Sequence, residues 1–221
     1  MRTDVREVFS AAASAYGRGN ALLAIEREET PRLLPHLEGR DVLDLGCGHG
    51  HYARLARTLG ARRVVALDFA LPMAAAAPPP AVVGDASRLP LASGSVDVVV
   101  AALLVSFASD PAALLLEAAR VLRPGAALVL SDLHPAASAR GWRRSFQDAQ
   151  GRTHVIDAPP RTVPELRGWL EQAGLRLQEC REPRVDRRLE PEFRRAGRTD
   201  FARLEGTPLL VTMRAVKGNP Q

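Results

Sequence analysis

Between residues 41 and 134 the chain alternates short apolar runs with helical stretches, and this alternation restricts the fold more than any other feature. Asp41-Val42-Leu43-Asp44-Leu45, Val64-Val65-Ala66-Leu67, Ala81-Val82-Val83, residues 96–102 and Ala127-Leu128-Val129-Leu130 each read as a strand. Helical segments over residues 52–59, 71–77 and 111–122 lie between them, the last opened by Asp110 as N-cap and Pro111 at its first position. Short apolar strands joined by helical crossovers pair in parallel, with helices on both faces. Such doubly wound sheets bind ligands at the carboxyl ends of their strands.

The flanks read differently. Before residue 40, Val5, Val8, Phe9 and Ala12 recur at three- and four-residue spacing, and a second helix over residues 22–34 is closed by Pro35 and Gly39. Residues 1–39 therefore form an N-terminal helical cap on a domain spanning 40–221. Past residue 135 the alternation stops: residues 142–156 read as polar and irregular, and a helix over 164–173 ends at Gly174. Residues 175–180 and 209–216 read as two final strands. No crossover forces them parallel, so an antiparallel hairpin at one sheet edge is expected. With 221 residues, 46% hydrophobic and 25% charged, the chain has the balance of one globular domain.

Several function classes are disfavoured. The longest uncharged apolar stretch, residues 98–108, falls short of the roughly 20 residues a membrane helix needs. The first seven residues carry mixed charge and no signal-peptide core, so neither membrane insertion nor secretion is expected. Two cysteines, Cys47 and Cys180, make neither a disulfide scaffold nor a metal cluster, and a reduced cytoplasm suits them. No histidine spacing suggests a metal site either. The net charge of +5 comes almost entirely from arginine, Lys217 being the one lysine. The densest basic stretch, residues 176–203, interleaves nine arginines with six acids, a solvated face rather than a phosphate-binding stripe, and nucleic acid is not an expected partner.

The chemistry concentrates after the first strand, where Gly46-Cys47-Gly48-His49-Gly50 places glycines at alternate positions. Glycine admits backbone angles that other residues avoid and lets the main chain approach a ligand. A glycine turn alone is a weak signal, since nucleotide-binding folds share it. Two features sharpen it. His51 stands where a dinucleotide fingerprint has its last glycine, and Asp68 ends the second strand 22 residues beyond Gly46, where a carboxylate can accept from both ribose hydroxyls. Asp44 and Asp85 add acids at the first and third strands, the latter placed to accept from a purine amino group.

These residues carry a family resemblance. Asp44-Leu45-Gly46-Cys47-Gly48-His49-Gly50, Leu67-Asp68-Phe69 with Met73, residues 84–99 and Val121-Leu122-Arg123-Pro124-Gly125-Ala126 are similar, in order and spacing, to motifs of the class I S-adenosylmethionine-dependent methyltransferases. The resembled group is the small-molecule one that includes the ubiquinone and menaquinone methyltransferases. It implies a doubly wound, mostly parallel seven-stranded sheet and S-adenosyl-L-methionine as cofactor. By the same resemblance Gly46, Cys47 and Gly48 would lie against the methionine part, with Asp44 near its amino group. Asp68 would hold the ribose; Phe69 and Met73 would pack on the adenine; Asp85 and the Ala86 backbone would bond its edge; Leu103 would face the sulfonium. One departure stands out: the segment between Asp68 and Asp85 is short and ends in three prolines, leaving little room for the usual helix.

Methyl transfer from a sulfonium needs alignment more than covalent help, and a base only where the acceptor must lose a proton. Tyr16, Ser106, His134 and His154 are the acceptor-side candidates, with His134 as possible base or, alternatively, as the cap of a strand end. Residues 135–164, with Trp142 and Phe146, are expected to cover the substrate, a flat or carboxylate-bearing small molecule. RNA or protein methylation, a non-catalytic protein with this fold and a nicotinamide dehydrogenase are the competing readings.

Overall fold

In a computed structural model, which describes residues 5–14, 16, 21–147, 152–156, 158 and 160–218, the strands in chain order are β1 (Asp41–Leu45), β2 (Arg63–Asp68), β3 (Ala81–Val83), β4 (Val96–Ala102), β5 (Leu122–Leu133), β6 (Arg144–Gln147), β7 (Thr153–Ile156), β8 (Leu175–Arg181) and β9 (Leu210–Lys217). Seven of them form one sheet in the order β3-β2-β1-β4-β5-β9-β8. The first five pair in parallel, as the alternation requires. The last strand in sequence slots between β5 and β8, antiparallel to both, so the C-terminal hairpin supplies the edge.

The two faces of the sheet follow from side-chain period. Leu43 and Leu45 of β1 and Val99 of β4 pack with Leu114, Leu115 and Ala118 of α5 (Pro111–Val121), after α1 (Val5–Ala12), α2 (Ala21–Glu29), α3 (His51–Thr58) and α4 (Leu71–Ala76) in the chain. Val42, Val98 and Val100, on the alternate positions, pack with Tyr52, Ala53 and Ala56 of α3. Asp44 shares that second face, which decides its role below. The N-cap Asp110 accepts from the Ala113 N–H at 2.9 Å, as its position predicts. Despite the three prolines, a six-residue α4 fits between β2 and β3. At the opposite sheet end Arg123 bridges Asp41 at 3.1 Å and Asp97 at 2.9 Å, joining the starts of β1, β4 and β5. None of the described helices is long and apolar enough to cross a membrane.

The structure departs from the sequence expectations in three places. The helix expected over residues 22–34 ends at Glu29 and continues as a 3-10 turn, Thr30–Leu33, because Pro31 has no N–H for the α ladder. Within the stretch 142–156 expected to be irregular, residues 144–147 and 153–156 pair as the antiparallel strands β6 and β7, with Ser145 opposite Val155. Within the expected cover, α6 (Pro135–Ala139) precedes Trp142, whose indole is part of the core around Phe193. It is buried and stacks edge-to-face on Phe193 at 5.7 Å, with the Arg198 guanidinium 4.0 Å above it. The side chain of Phe146 lies outside the described residues. Beyond the hairpin, α7 (Val163–Gln172) lies against α5, while α8 (Glu190–Arg195) and α9 (Phe201–Leu204) complete the cluster around Phe193.

Truncation of this core tryptophan should therefore act on stability alone. Trp142→Ala is expected to lower the unfolding free energy by about 3–5 kcal/mol in urea titrations. A loss below 1 kcal/mol would return Trp142 to the cover.

Candidate active site

β1 ends at Leu45, and the chain turns through Gly46, Cys47, Gly48, His49 and Gly50 into α3. Gly46, Gly48 and Gly50 take φ of +67°, +50° and +74°, a region in which side chains are strained. A Cβ at Gly46 would lie 2.7 Å from the Leu104 side chain, and one at Gly50 2.5 Å from Pro78. The turn is tied to β2 by two hydrogen bonds: Cys47 N–H to the Leu67 carbonyl at 2.9 Å, and Gly48 N–H to Asp68 Oδ2 at 2.8 Å. Behind it, Asp44 Oδ2 accepts the Ala53 N–H at 2.8 Å. Gly50 sits at the N-cap of α3 without a side chain, so Asp44 satisfies a first-turn donor from the neighbouring strand.

A cavity of about 470 Å³ opens over this turn, within the range of about 300–1,000 Å³ common for small-molecule sites. Gly46 and Gly48, Asp68 and Phe69, Asp85 and Ala86, and Leu103 and Leu104 line it from the ends of β1 to β4. From the N-terminal segment α1 adds Val5, Arg6 and Phe9, and Tyr16 lies over Gly48, where a Cβ would meet its ring at 3.1 Å. Phe9 is the hub of the aromatic wall, edge-to-face with Phe107 at 5.0 Å, Phe69 at 6.0 Å and Tyr16 at 6.1 Å. Leu103 holds φ +52°, the one non-glycine residue with positive φ among those described. Its N–H donates to the Ser131 carbonyl at 2.8 Å, which fixes this strained corner at the cavity wall.

Acids dominate the electrostatics. Asp68 is buried, and burial pushes its carboxyl up while the N–H groups of Ala70 and Gly48 oppose the rise. Burial raises Asp44 to about 8, the charges of Glu26 and Asp68 adding to the rise and the Ala53 N–H opposing it. Exposed Asp85 is held low by bonds from the Ser87 hydroxyl and N–H, at 2.7 and 2.8 Å. Burial, together with Asp68 and Glu26, lifts the Tyr16 hydroxyl to about 12.

Glu26 is a site residue that sequence reasoning did not find. It lies 2% exposed on α2 and accepts from the Tyr52 hydroxyl at 2.5 Å and from Ser131 Oγ at 3.1 Å. Burial is the main reason its carboxyl is raised. The run Glu26-Arg27-Glu28-Glu29 reads as a solvated face. The overlooked signal is that Glu26 shares a helical face with Leu22 and Ile25, both buried.

Of the residues singled out from sequence, Tyr16, Gly46, Gly48, Asp68, Phe69, Asp85, Ala86 and Leu103 converge on the cavity. Asp44, Cys47, Met73, Ser106, His134 and His154 are not among its lining. The Cys47 thiol is buried, and burial raises it well above its ordinary range. Met73 packs with Ala12 and Ala70 in a small core beneath Phe69. Ser106 spends both its N–H and hydroxyl on Asp132 Oδ2, at 2.7 and 2.8 Å. His134 is the N-cap of α6: Nδ1 accepts the Ala136 N–H at 3.0 Å and Nε2 lies 3.2 Å from Glu182. Both ring nitrogens are engaged, the geometry of the capping alternative. His154, half-buried on β7, belongs to the hairpin. Among the described residues no group of three metal-binding side chains assembles.

Residues 43–130 match the methyltransferase domain family. The malonyl-[acyl-carrier protein] O-methyltransferase of Serratia marcescens is 35% identical over 159 residues, 68% of this chain and 60% of that protein. The S-adenosylmethionine-dependent methyltransferase of Mesorhizobium loti superposes with TM-score 0.66 at 25% identity, covering 90% of this chain and 99% of the other. This chain carries a class I S-adenosylmethionine-dependent methyltransferase domain. S-adenosylmethionine is the cofactor of this methyltransferase fold. The Burkholderia thailandensis 1,6-didemethyltoxoflavin-N1-methyltransferase, solved with S-adenosylhomocysteine, shares the fold at 20% identity and TM-score 0.57, over 89% of this chain and 79% of its own. The chain spans about 60% of the length of its Serratia relative.

The raised Asp44 ties the methyltransferase domain's stability to pH. The folded protein keeps a proton on Asp44 that the unfolded chain releases above about pH 4. The stabilisation is complete below that pH and is lost as pH rises through the folded value of about 8. Urea titrations should show the stability advantage of wild type over Asp44→Asn shrinking between pH 5 and 8, by at most about 1.4 kcal/mol per pH unit. A pH-independent difference would place the ordinary carboxylate value at Asp44.

Proposed function

We propose that the chain transfers the methyl group of S-adenosylmethionine to a carboxylate oxygen of a small acyl acceptor bound in the cavity over the glycine turn. The observation that carries the cofactor half is the convergence of Asp68 and Gly48 on one cavity, joined at 2.8 Å. The cofactor fits the residues present. Gly46 and Gly48 leave the room that a side chain would fill, and Asp68 keeps free lone pairs beyond the two backbone bonds it accepts. Asp68 and Asp85 also favour a ligand with positive charge. When bound, the sulfonium supplies an electrophilic methyl and its own leaving group.

In this reading Asp68 accepts the ribose hydroxyls, and the Gly46–Gly48 backbone cradles the methionine portion. Phe69 and Ala86, with Asp85 beside it, border the adenine. Asp44, capping α3, keeps the glycine turn in shape rather than touching the ligand. Leu103 and Leu104 press from the β4 side, and Phe9, Tyr16 and Phe107 exclude water from the reacting centre. In-line placement of acceptor oxygen, methyl carbon and sulfur, about 3 Å across the reacting pair, then supplies most of the acceleration. Within the expected cover, the β6–β7 hairpin, with β7 against α1, covers this acceptor side.

Two features support a carboxylate acceptor. The Serratia relative is named for O-methylation of a malonyl group on a carrier protein. The described cavity lining also offers no histidine, and a carboxylate needs no base because its pKa of about 4 leaves it ionised at neutral pH. Its oxygen lone pair forms the O–CH3 bond as the C–S pair leaves with sulfur, giving a neutral ester and a thioether.

Calorimetry with S-adenosylhomocysteine should show binding to wild type and binding about 10- to 100-fold weaker to Asp68→Ala, the value of one or two charge-assisted hydrogen bonds. Incubation of S-adenosylmethionine with malonyl-N-acetylcysteamine should release S-adenosylhomocysteine and the methyl ester. Undiminished affinity in Asp68→Ala would contradict the cofactor placement, and turnover confined to amine or phenol acceptors would contradict the carboxylate reading.

A further inference from the structure

Arg144, the first residue of β6, places its guanidinium over the ring of Phe107. Its side chain is only 6% exposed, and it forms an ion pair with Asp132 near the end of β5. That pairing engages Nη2 alone. Nε and Nη1 are buried and have no hydrogen-bond partner. Asp132 is shared with other donors: Oδ1 also receives the Leu133 N–H at 2.8 Å, and Oδ2 receives the Ser106 N–H and hydroxyl. A buried donor left unmade costs about 1–3 kcal/mol, so a guanidinium fixed in this way is a standing demand for an acceptor group.

Its place says what acceptor. The guanidinium carbon lies 4.5 Å from the centre of the Phe107 ring, and Phe107 lines the cavity. Its charge is also felt at the Tyr16 hydroxyl, which it lowers against the stronger effects of burial and the neighbouring acids. Arg144 is not itself among the cavity lining, but it packs against the Phe107 part of the aromatic wall and acts on Tyr16.

We infer that the buried, unpaired guanidinium donors of Arg144 hold the carboxylate of the methyl acceptor and so select acids over other acyl groups. This rests on the carboxylate reading of the same cavity given above. The partnership with Asp132 has a chemical consequence. Asp132 neutralises Arg144, so the acceptor meets directed hydrogen bonds rather than a full opposite charge. A carboxylate gives up its charge as the ester forms, and a lone cation would hold the reactant more tightly than the transition state. The paired guanidinium orients the oxygen with less of that penalty. Arg144 is here a specificity residue that touches substrate, and Asp132 and Ser106 position it.

The test uses the full chain saturated with S-adenosylhomocysteine, titrated calorimetrically with malonyl-N-acetylcysteamine and with acetyl-N-acetylcysteamine, which lacks the carboxylate. Wild type should bind the malonyl probe about tenfold or more tightly than the acetyl probe, the value of a charge-assisted hydrogen bond. Arg144→Gln should erase that preference while S-adenosylhomocysteine affinity stays within about twofold. Arg144→Lys, which keeps the charge and loses the planar donor set, should retain part of the preference and covers the case in which the Gln variant does not fold. Equal binding of both probes, or none, by wild type would overturn the inference, as would a malonyl preference that survives in both variants. Failure of wild type to bind S-adenosylhomocysteine would instead overturn the cofactor placement itself, which separates the two outcomes.

Discussion

The carboxylate of Asp68 accepts the N–H of Gly48 at 2.8 Å and that of Ala70 at 2.9 Å, and the geometry of the site hangs on this joint. It locks the end of β2 to the turn leaving β1, two strands that pair in parallel residue by residue from Asp41 and Arg63 onward. A parallel sheet brings strand ends together by construction, and the order β3-β2-β1-β4-β5 places the glycine turn where the connections diverge to either side. The positive φ of Gly46, Gly48 and Gly50 lets the turn stay close to Leu104 and Pro78, so the cavity floor is main chain rather than side chain.

Beneath that floor lies a layer of buried polarity that couples three elements. Glu26 joins α2 to Tyr52 on α3 and to Ser131 on β5, while Asp44 caps α3 from β1. Ser131 in turn accepts from the strained Leu103 N–H through its carbonyl. Buried acids without cationic partners oppose folding at neutral pH, because burial favours their protonated forms. Their satisfaction by hydroxyl and backbone donors keeps the layer rigid. The N-terminal helices are thereby part of the site: α1 supplies its aromatic wall and α2 braces its floor.

Much of this arrangement was legible in the sequence, and for identifiable reasons. The near-continuous apolar runs of Val42-Leu43-Asp44-Leu45 and residues 96–102 specify strands buried on both faces, and Asp110-Pro111 marks its helix start locally. Asp68 and Gly48 could be paired because strand ends and glycine spacing carry positional meaning. Roles that depend on orientation in three dimensions were not legible. Asp44 and Leu45 are adjacent in the chain yet face opposite layers, so the bond from Asp44 to the first turn of α3 could not be read from order alone. Trp142 and Phe107 are both aromatic, but one fills the Phe193 cluster and the other lines the cavity. Arg144 could not be distinguished among the many arginines, since its meaning comes from Asp132, brought beside it by the hairpin.

A crystal structure of the protein soaked with S-adenosylhomocysteine reads the joint between Asp68 and the glycine turn directly. Density is expected over the glycine turn, with ribose oxygens within about 3.2 Å of the Asp68 carboxylate and the thioether sulfur near Leu103, facing the Phe9–Tyr16–Phe107 wall. Density elsewhere on the molecule, or a ribose that makes no bond to Asp68, would contradict that placement.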